Sequence, residues 1–225
     1  MSHNYEIIDV SHSVEDGMIT YKGLPAPVIV DHLTREQSHA YYATGTEFQI
    51  GRIEMVANTG TYVDSPFHRY ADGSDLAGLD LYSLANLDGV VVRRVDAAGP
   101  AISVDSLQGV ELKDKAVLFH TGWDRHWRTE EYSSGNHPFV TAEAAEYLAQ
   151  SGARLVGIDS YNIDDTGDRT RPAHSILLRR GIPIVEHLCG LGDLPDHGFK
   201  FFAVPVKVKG MGTFPVRAFG VVPNS

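Results

Sequence analysis

The stretch Thr141-Ala142-Glu143-Ala144-Ala145-Glu146-Tyr147-Leu148-Ala149-Gln150, followed by Gly152 and then Arg154-Leu155-Val156-Gly157-Ile158-Asp159, decides the class of fold. The Thr141 hydroxyl can cap the free N–H groups of the alanine-rich run, and Gly152 suits the position that closes it. Ala145, Leu148 and Ala149 share one face and Glu143 and Glu146 lie mostly outside it, so the run predicts an amphipathic helix. The apolar run behind it predicts a buried strand ending on an acidic residue. A helix leading into such a strand is α/β grammar.

Outward from this unit the chain continues in short pieces. Upstream, residues 7–10 and 28–33 are β-branched runs that predict strands, with turn chemistry between them at Glu15-Asp16-Gly17 and Lys22-Gly23-Leu24-Pro25. Residues 48–56 partly alternate, 90–95 are rich in valine and 116–119 are apolar; these three are expected to form the core of a sheet. Downstream follow a polar loop through Asp168 and Arg171, a short helix over 174–180, a strand over 182–185 and closing strands over 201–208 and 218–222. No repeat and no proline- or glycine-rich linker interrupts the series, so residues 1–225 are expected to form a single, strand-rich α/β domain.

With 29 acidic against 19 basic side chains, the 225 residues carry a formal charge of -10, and the basic residues do not gather in the sequence. Such a balance repels phosphate backbones and anionic membranes, so no nucleic acid and no membrane is expected as a partner, but rather a small-molecule substrate, a metal ion or another subunit. The opening Met1-Ser2-His3-Asn4-Tyr5-Glu6 has no basic segment followed by an apolar one, and no apolar run approaches the roughly 18 residues a membrane helix needs. The one cysteine, Cys189, rules out an intramolecular disulfide or a thiolate-only zinc site and makes a reducing cytoplasm the simpler home. Cys189 reads as a small buried residue rather than a nucleophile. Eleven histidines remain, each a potential metal ligand or proton-transfer group.

The densest chemistry lies in Asn58-Thr59-Gly60-Thr61-Tyr62-Val63-Asp64-Ser65-Pro66-Phe67-His68. If residues 62–64 are extended, Tyr62 and Asp64 point to one side, while Gly60 permits a close turn and Pro66 stiffens the path to His68. A carboxylate and an imidazole would then surround one small ligand. Farther on, His174 and Glu186 flank the apolar run 182–185. Asp64, His174 and Glu186 could supply one nitrogen and two carboxylates, a set acceptable to zinc, manganese or iron. The plainer alternative is that His174 caps local structure and that Glu186 pairs with Arg179, Arg180 or a backbone donor.

Across the whole chain these residues resemble the cyclase family that includes bacterial-type kynurenine formamidases and isatin hydrolases. Asp9-Val10-Ser11-His12 with Gly17-Met18, Gly60-Thr61 through Asp64-Ser65-Pro66-Phe67-His68, and Thr121-Gly122-Trp123-Asp124 look like its successive signatures. So do His137-Pro138 with the Thr141 helix, Gly157-Ile158-Asp159, His174 with Glu186, and Lys209-Gly210 through Pro215-Val216-Arg217-Ala218. The resemblance implies a swivelling β/β/α domain, usually a homo-oligomer, with a divalent-metal centre that activates water against an amide or related carbonyl. The family pattern has histidines where this chain has Asn58 and Tyr62. Its metal-binding aspartate matches Asp64, its proton-transfer histidine matches His68, and further ligands match His174 and Glu186. One zinc or manganese ion at Asp64, His174 and Glu186 is therefore expected in place of two, with a metal-free protein as the alternative.

The expected function is hydrolysis of a small amide, formamide, lactam or ester. His68 would act as general base, Tyr62 would donate to the developing oxyanion, and Asn58 would orient substrate or water. A cyclase or dehydratase acting on a small hydroxy or carbonyl compound, or a non-catalytic binding protein of the same fold, is the competing expectation. His68 could also be a satisfied structural histidine, and Tyr62 could simply fill core space. Arg171 and Arg217 are candidates to hold a substrate carboxylate, with ordinary ion pairing as the alternative. Trp123, Trp127 and Phe139 read as packing or pocket walls. The glycines of 208–213 lack the order of a phosphate loop, so no nucleotide cofactor is expected.

Overall fold

A computed structural model describes residues 4–224. Met1 to His3, part of the opening read above for a targeting segment, lie outside the described residues, as does Ser225. In chain order the elements are β1 (Tyr5–Asp9), β2 (Val28–Leu33), the one-turn helix α1 (Arg35–Ser38), β3 (Ile50–Glu54), β4 (Tyr62–Asp64), β5 (Leu87–Arg93), β6 (Ala101–Ile102) and β7 (Lys115–His120). Then come β8 (Phe139–Val140), α2 (Ala142–Gln150), β9 (Leu155–Ile158), α3 (Pro172–Arg179), β10 (Ile184–Glu186), β11 (His197–Phe202), β12 (Thr213–Pro215) and β13 (Phe219–Pro223).

Nine of the strands form one mixed sheet in the order β1-β13-β11-β5-β7-β9-β10-β4-β12. Its middle, β5-β7-β9-β10, is parallel, and antiparallel strands extend both sides. Along β7, Val117 and Phe119 face the side covered by α2 and α3, while Ala116 and Leu118 face the opposite layer with Phe199 and Phe201. Both faces are thus buried, which is why the central strands read as continuous apolar runs. Each fully buried Leu, Ile or Phe in these layers contributes roughly 1.5–3 kcal/mol. This is the strand-rich α/β architecture expected from the Thr141–Asp159 unit.

Thr141 caps α2 by accepting from the Ala144 N–H at 3.2 Å. Its buried face is Ala144, Ala145 and Leu148, with Ala149 only half-buried, so the stripe sits slightly N-terminal to the expected one. Two other expectations are corrected. Residues 48–56 do not join the sheet core: β3 pairs only with β2 in a separate two-stranded ribbon, and all five of its residues are exposed. Gly51, Arg52 and Glu54 leave that strand too few apolar side chains to cover a layer. The strand expected over 201–208 starts earlier and stops at Phe202, where its partners run out: Phe201 lies opposite Leu87 and Phe202 opposite Phe219, the first residues of β5 and β13. Among the described residues no helix is long and apolar enough to cross a membrane.

The parallel strands β9 and β10 end near each other, at Ile158 and Glu186, and the polar loop 159–171 follows β9. In an open α/β sheet the carboxyl ends of such strands leave a crevice that suits a ligand.

Candidate active site

Strand register assembles the first half of the site. β10 pairs with β4 so that Glu186 lies opposite Tyr62 and Ile184 opposite Asp64, and on the other edge of β4 Thr213 of β12 lies opposite Asp64. Directly opposed residues share a face of the sheet, so Tyr62, Asp64, Glu186 and Thr213 project together. All four are buried. Just past β4, a single 3-10 turn over Pro66–His68 swings His68 back until its Nδ1 is 3.7 Å from Asp64 Oδ1 and 2.9 Å from Thr213 Oγ1. The Thr213 hydroxyl has one proton, and Asp64 Oδ1, which can only accept, takes it. Toward His68 the hydroxyl oxygen is therefore an acceptor and Nδ1 carries the hydrogen, so in the neutral ring the lone pair is the one on Nε2.

Helix α3 supplies the other half. Asp164 accepts from the N–H groups of Ala173 and His174 at 2.6 and 3.1 Å and from His174 Nδ1 at 2.6 Å. That carboxylate both caps the helix, which opens at Pro172, and fixes the imidazole so that Nε2 points at Asp64 Oδ2 (3.6 Å) and Glu186 Oε1 (3.8 Å). Burial alone would lower the pKa of His174, but Glu186, Asp164 and Asp64 outweigh it and push it up to about 10. Burial raises Glu186, and Asp64 adds to that. Burial would also raise Asp64, yet the His174 and His68 imidazoles hold it below the ordinary carboxylate value.

A divalent cation suits this donor set. Asp64 Oδ2 is buried and accepts no hydrogen bond among the described residues; it faces His174 Nε2 at 3.6 Å, longer than a hydrogen bond, which leaves its lone pairs open to a cation. One donor atom each from Asp64, His68 and His174 lies within 4.8 Å of the others; Glu186, expected as a ligand, is outside this trio but has its Oε1 3.8 Å from His174 Nε2. Imidazole nitrogen with carboxylate oxygen is a zinc- or manganese-type set.

Glu186 is held in place by the Ile163 N–H at 2.6 Å and the Tyr62 hydroxyl at 2.8 Å. Burial and the neighbouring carboxylates Glu186 and Asp64 push the Tyr62 hydroxyl well above the ordinary phenol range, so it stays a protonated donor. Behind it sits His187, whose Nε2 is 3.3 Å from the Tyr62 oxygen and whose Nδ1 is 2.8 Å from the Tyr132 hydroxyl. Burial pushes His187 down to about 3 and keeps it neutral. One chain of donors results: Tyr132 to His187 Nδ1, His187 Nε2–H to Tyr62, and Tyr62 to Glu186.

These groups open onto a cavity of about 470 Å³ whose lining includes Asn58, Tyr62, His68, Asn162, His174 and Glu186, a volume suited to a small molecule. Of the residues expected to do the chemistry, Asn58, Tyr62, His68, His174 and Glu186 line this cavity, Asn58 half-buried on its wall, and Asp64 is buried beside it, 3.6 Å from His174 Nε2. Arg171 lines the cavity too, whereas Arg217 lies elsewhere, paired with Asp9 at 2.8 Å. Glu186 uses a backbone donor but neither arginine; Arg179 instead pairs with Asp72. Trp123 is tied by its indole N–H to the Tyr132 carbonyl and Trp127 stacks on His12. Burial raises the Cys189 thiol to about 12, which leaves it no nucleophilic use.

Asp164, Thr213, His187 and Tyr132 were not legible as site residues. Asp164 could have been found as an acidic residue shortly before a Pro-initiated helix carrying His174, but Thr213 and Tyr132 meet their partners across 149 and 55 residues and leave no local pattern.

The signature of the Cyclase family, described as "Putative cyclase", matches residues 8–165. A kynurenine formamidase of Erythrobacter litoralis is 34% identical over 166 residues, 73% of this chain and 73% of that protein. A kynurenine formamidase of Bacillus cytotoxicus is 28% identical over 221 residues, 95% of this chain and 96% of that one. Among solved structures, isatin hydrolase A from Labrenzia aggregata, bound to benzyl benzoate, superposes with a TM-score of 0.82 at 21% identity, covering 98% of this chain and 95% of its own. At that identity the likeness speaks for the fold.

Proposed function

The chain belongs to the cyclase family, and from that premise we propose that it is a metal-dependent hydrolase of a small amide, formamide, lactam or ester. The observation that carries this reading is the clustering of His68, His174 and Glu186 on one cavity wall around the buried Asp64, whose Oδ2 faces His174 Nε2 at 3.6 Å without a hydrogen bond. Asp64, His174 and Glu186 would hold one zinc or manganese ion. Bound there, it supplies Lewis acidity that lowers the pKa of water and polarises a carbonyl.

The remaining work falls to side chains. His68, with its hydrogen on Nδ1, offers Nε2 to the attacking water and takes its proton; the carbon–oxygen bond forms, the carbon–nitrogen bond breaks, and the proton passes to the leaving amine. Tyr62 spends its proton on Glu186, so in this reading it holds that carboxylate rather than the oxyanion. Asn58, on the wall, orients substrate or water with a neutral amide. We read Asn58 and Tyr62 as standing where relatives carry further ligands, which supports a single ion: an amide oxygen is a weak donor, and a phenol held protonated is no anionic ligand.

We take residues 1–225 as one catalytic domain working in the cytoplasm, a setting the lone cysteine supports, and as a homo-oligomer. The last is supported by the β2–β3 ribbon, whose Val28, Val30, Ile50 and Ile53 are exposed. Sedimentation should find a species heavier than one chain; a monomer at every concentration would count against it.

The test of His68 separates its two possible uses. His68→Ala should keep its metal by elemental analysis and lose about 10²- to 10⁴-fold in kcat for formanilide hydrolysis. Loss of the metal would make His68 a ligand, and an unchanged rate and pH profile would remove it from the mechanism. Formate must appear in step with aniline; consumption without formate would mark a cyclase or dehydratase.

A further inference from the structure

Lys22, Arg69 and Arg171 line the same cavity as His68 and Glu186. None of the three is ion-paired among the described residues, whereas Arg93, Arg128, Arg154, Arg179 and Arg217 each hold an aspartate or glutamate. In a chain of formal charge -10, three unpaired cations around one cavity form a local field that favours an anion. The lining has one carboxylate to set against them, Glu186, and that is occupied by Tyr62, Ile163 and His174.

Arg171 is the fixed member of the three. Its backbone is left-handed, φ 51 and ψ 62, a conformation that glycine or asparagine adopts more cheaply, and Pro172 follows directly. That geometry turns the side chain into the cavity beside Tyr21. There its Nη1 meets only neutral acceptors at long range, Asn162 Oδ1 at 3.4 Å and the Asp165 carbonyl at 3.3 Å. The Tyr21 hydroxyl is a further neutral partner, so no carboxylate holds the guanidinium, and a fork of N–H donors matches a carboxylate in two parallel bonds. Lys22 and Arg69 are exposed and add charge at the mouth.

We infer that Arg171 is a specificity-determining residue that binds a carboxylate on the substrate, so that the chain prefers an anionic amide over a neutral or a zwitterionic one. An ammonium group in this cavity would face three cations and find no free acidic partner. The inference rests on the hydrolase reading for its reaction and on the charge of the cavity for its substrate class.

The test uses three formanilides that share a ring and carry a para-ethyl, a para-propanoate or a para-alanine substituent, which are neutral, anionic and zwitterionic. The propanoate should have the lowest KM. Arg171→Gln should raise that KM by about 10- to 100-fold with kcat little changed, leave the ethyl compound alone, and be partly rescued by Arg171→Lys. Arg217→Gln removes the same charge outside the cavity and should change nothing. Binding of benzoate, followed by calorimetry, should weaken in step with the propanoate KM. Equal KM for the propanoate in wild type and Arg171→Gln, an equal loss for the ethyl compound, or a preference for the alanine derivative would overturn the inference. If wild type hydrolyses none of the three, the reaction is wrong, and benzoate binding to wild type against Arg171→Gln still decides the role of Arg171.

Discussion

Tyr62 has a single hydroxyl proton, and its destination sets the electrostatics of the whole site. His187 Nε2–H occupies the phenol oxygen and Glu186 Oε2 takes the proton, so a residue that could fill volume, ligate an ion or stabilise an oxyanion is committed to holding a carboxylate. Removing the hydroxyl in Tyr62→Phe leaves Glu186 Oε2 with only the Asn162 amide at 3.5 Å. The expected cost is about 1–3 kcal/mol of stability in urea unfolding, the penalty for stripping a buried acceptor of its donor. An unchanged midpoint would mean that the bond is not formed in solution.

At the scale of elements, the His68 turn is placed by two glycines, Gly73 in the loop that follows it and Gly212 from a distant one. A Cβ on Gly212 would lie 2.5 Å from the backbone N and Cα of His68, and one on Gly73 would lie 2.6 Å from the Pro66 carbonyl carbon. The Gly212 carbonyl also accepts from the Ser65 N–H at 2.7 Å, which locks this approach just before the turn. Gly212→Ala must therefore push the turn outward, and a displacement near 1 Å of a catalytic group costs on the order of 10²-fold in rate. The prediction is a drop in kcat of that size, with the far-UV spectrum retained; wild-type kcat would show that the base does not depend on this contact. The same close approach explains why β12 escaped the sequence reading: three residues ending in Pro215 carry no periodicity, and their reason for existing is a neighbour across the fold.

For the whole molecule, the Thr141–Asp159 unit and the valine-rich central strands were legible because burial on both faces of a parallel sheet writes itself as continuous apolar runs. Residues 28–33 form the expected strand, but β3 was misplaced in the sheet core because partial alternation records two faces without recording what covers them. Asp64, His68, His174 and Glu186 were legible through the resemblance, whereas His187 gave no signal: its neutrality comes from burial among side chains far apart in sequence. Burial likewise depresses His12, stacked on Trp127, to about 4 from 6.5. Between those values the unfolded chain binds a proton that the folded chain does not, so this group's contribution to stability falls as pH falls. The stability difference between wild type and His12→Gln should accordingly shift against wild type from pH 6.5 down to about 4 and level off below, with other titrating groups cancelling in the comparison. A difference independent of pH would place a solvated imidazole at position 12.

The central claim is hydrolysis that depends on an ion held at Asp64 and His174. Its most direct test is formate release from formanilide by chelator-stripped protein titrated with zinc and, separately, manganese, alongside Asp64→Asn. The account predicts negligible release after stripping, recovery that saturates near one equivalent of metal per chain, and no recovery in the variant. Full activity after stripping, or recovery in Asp64→Asn equal to that of wild type, would contradict it.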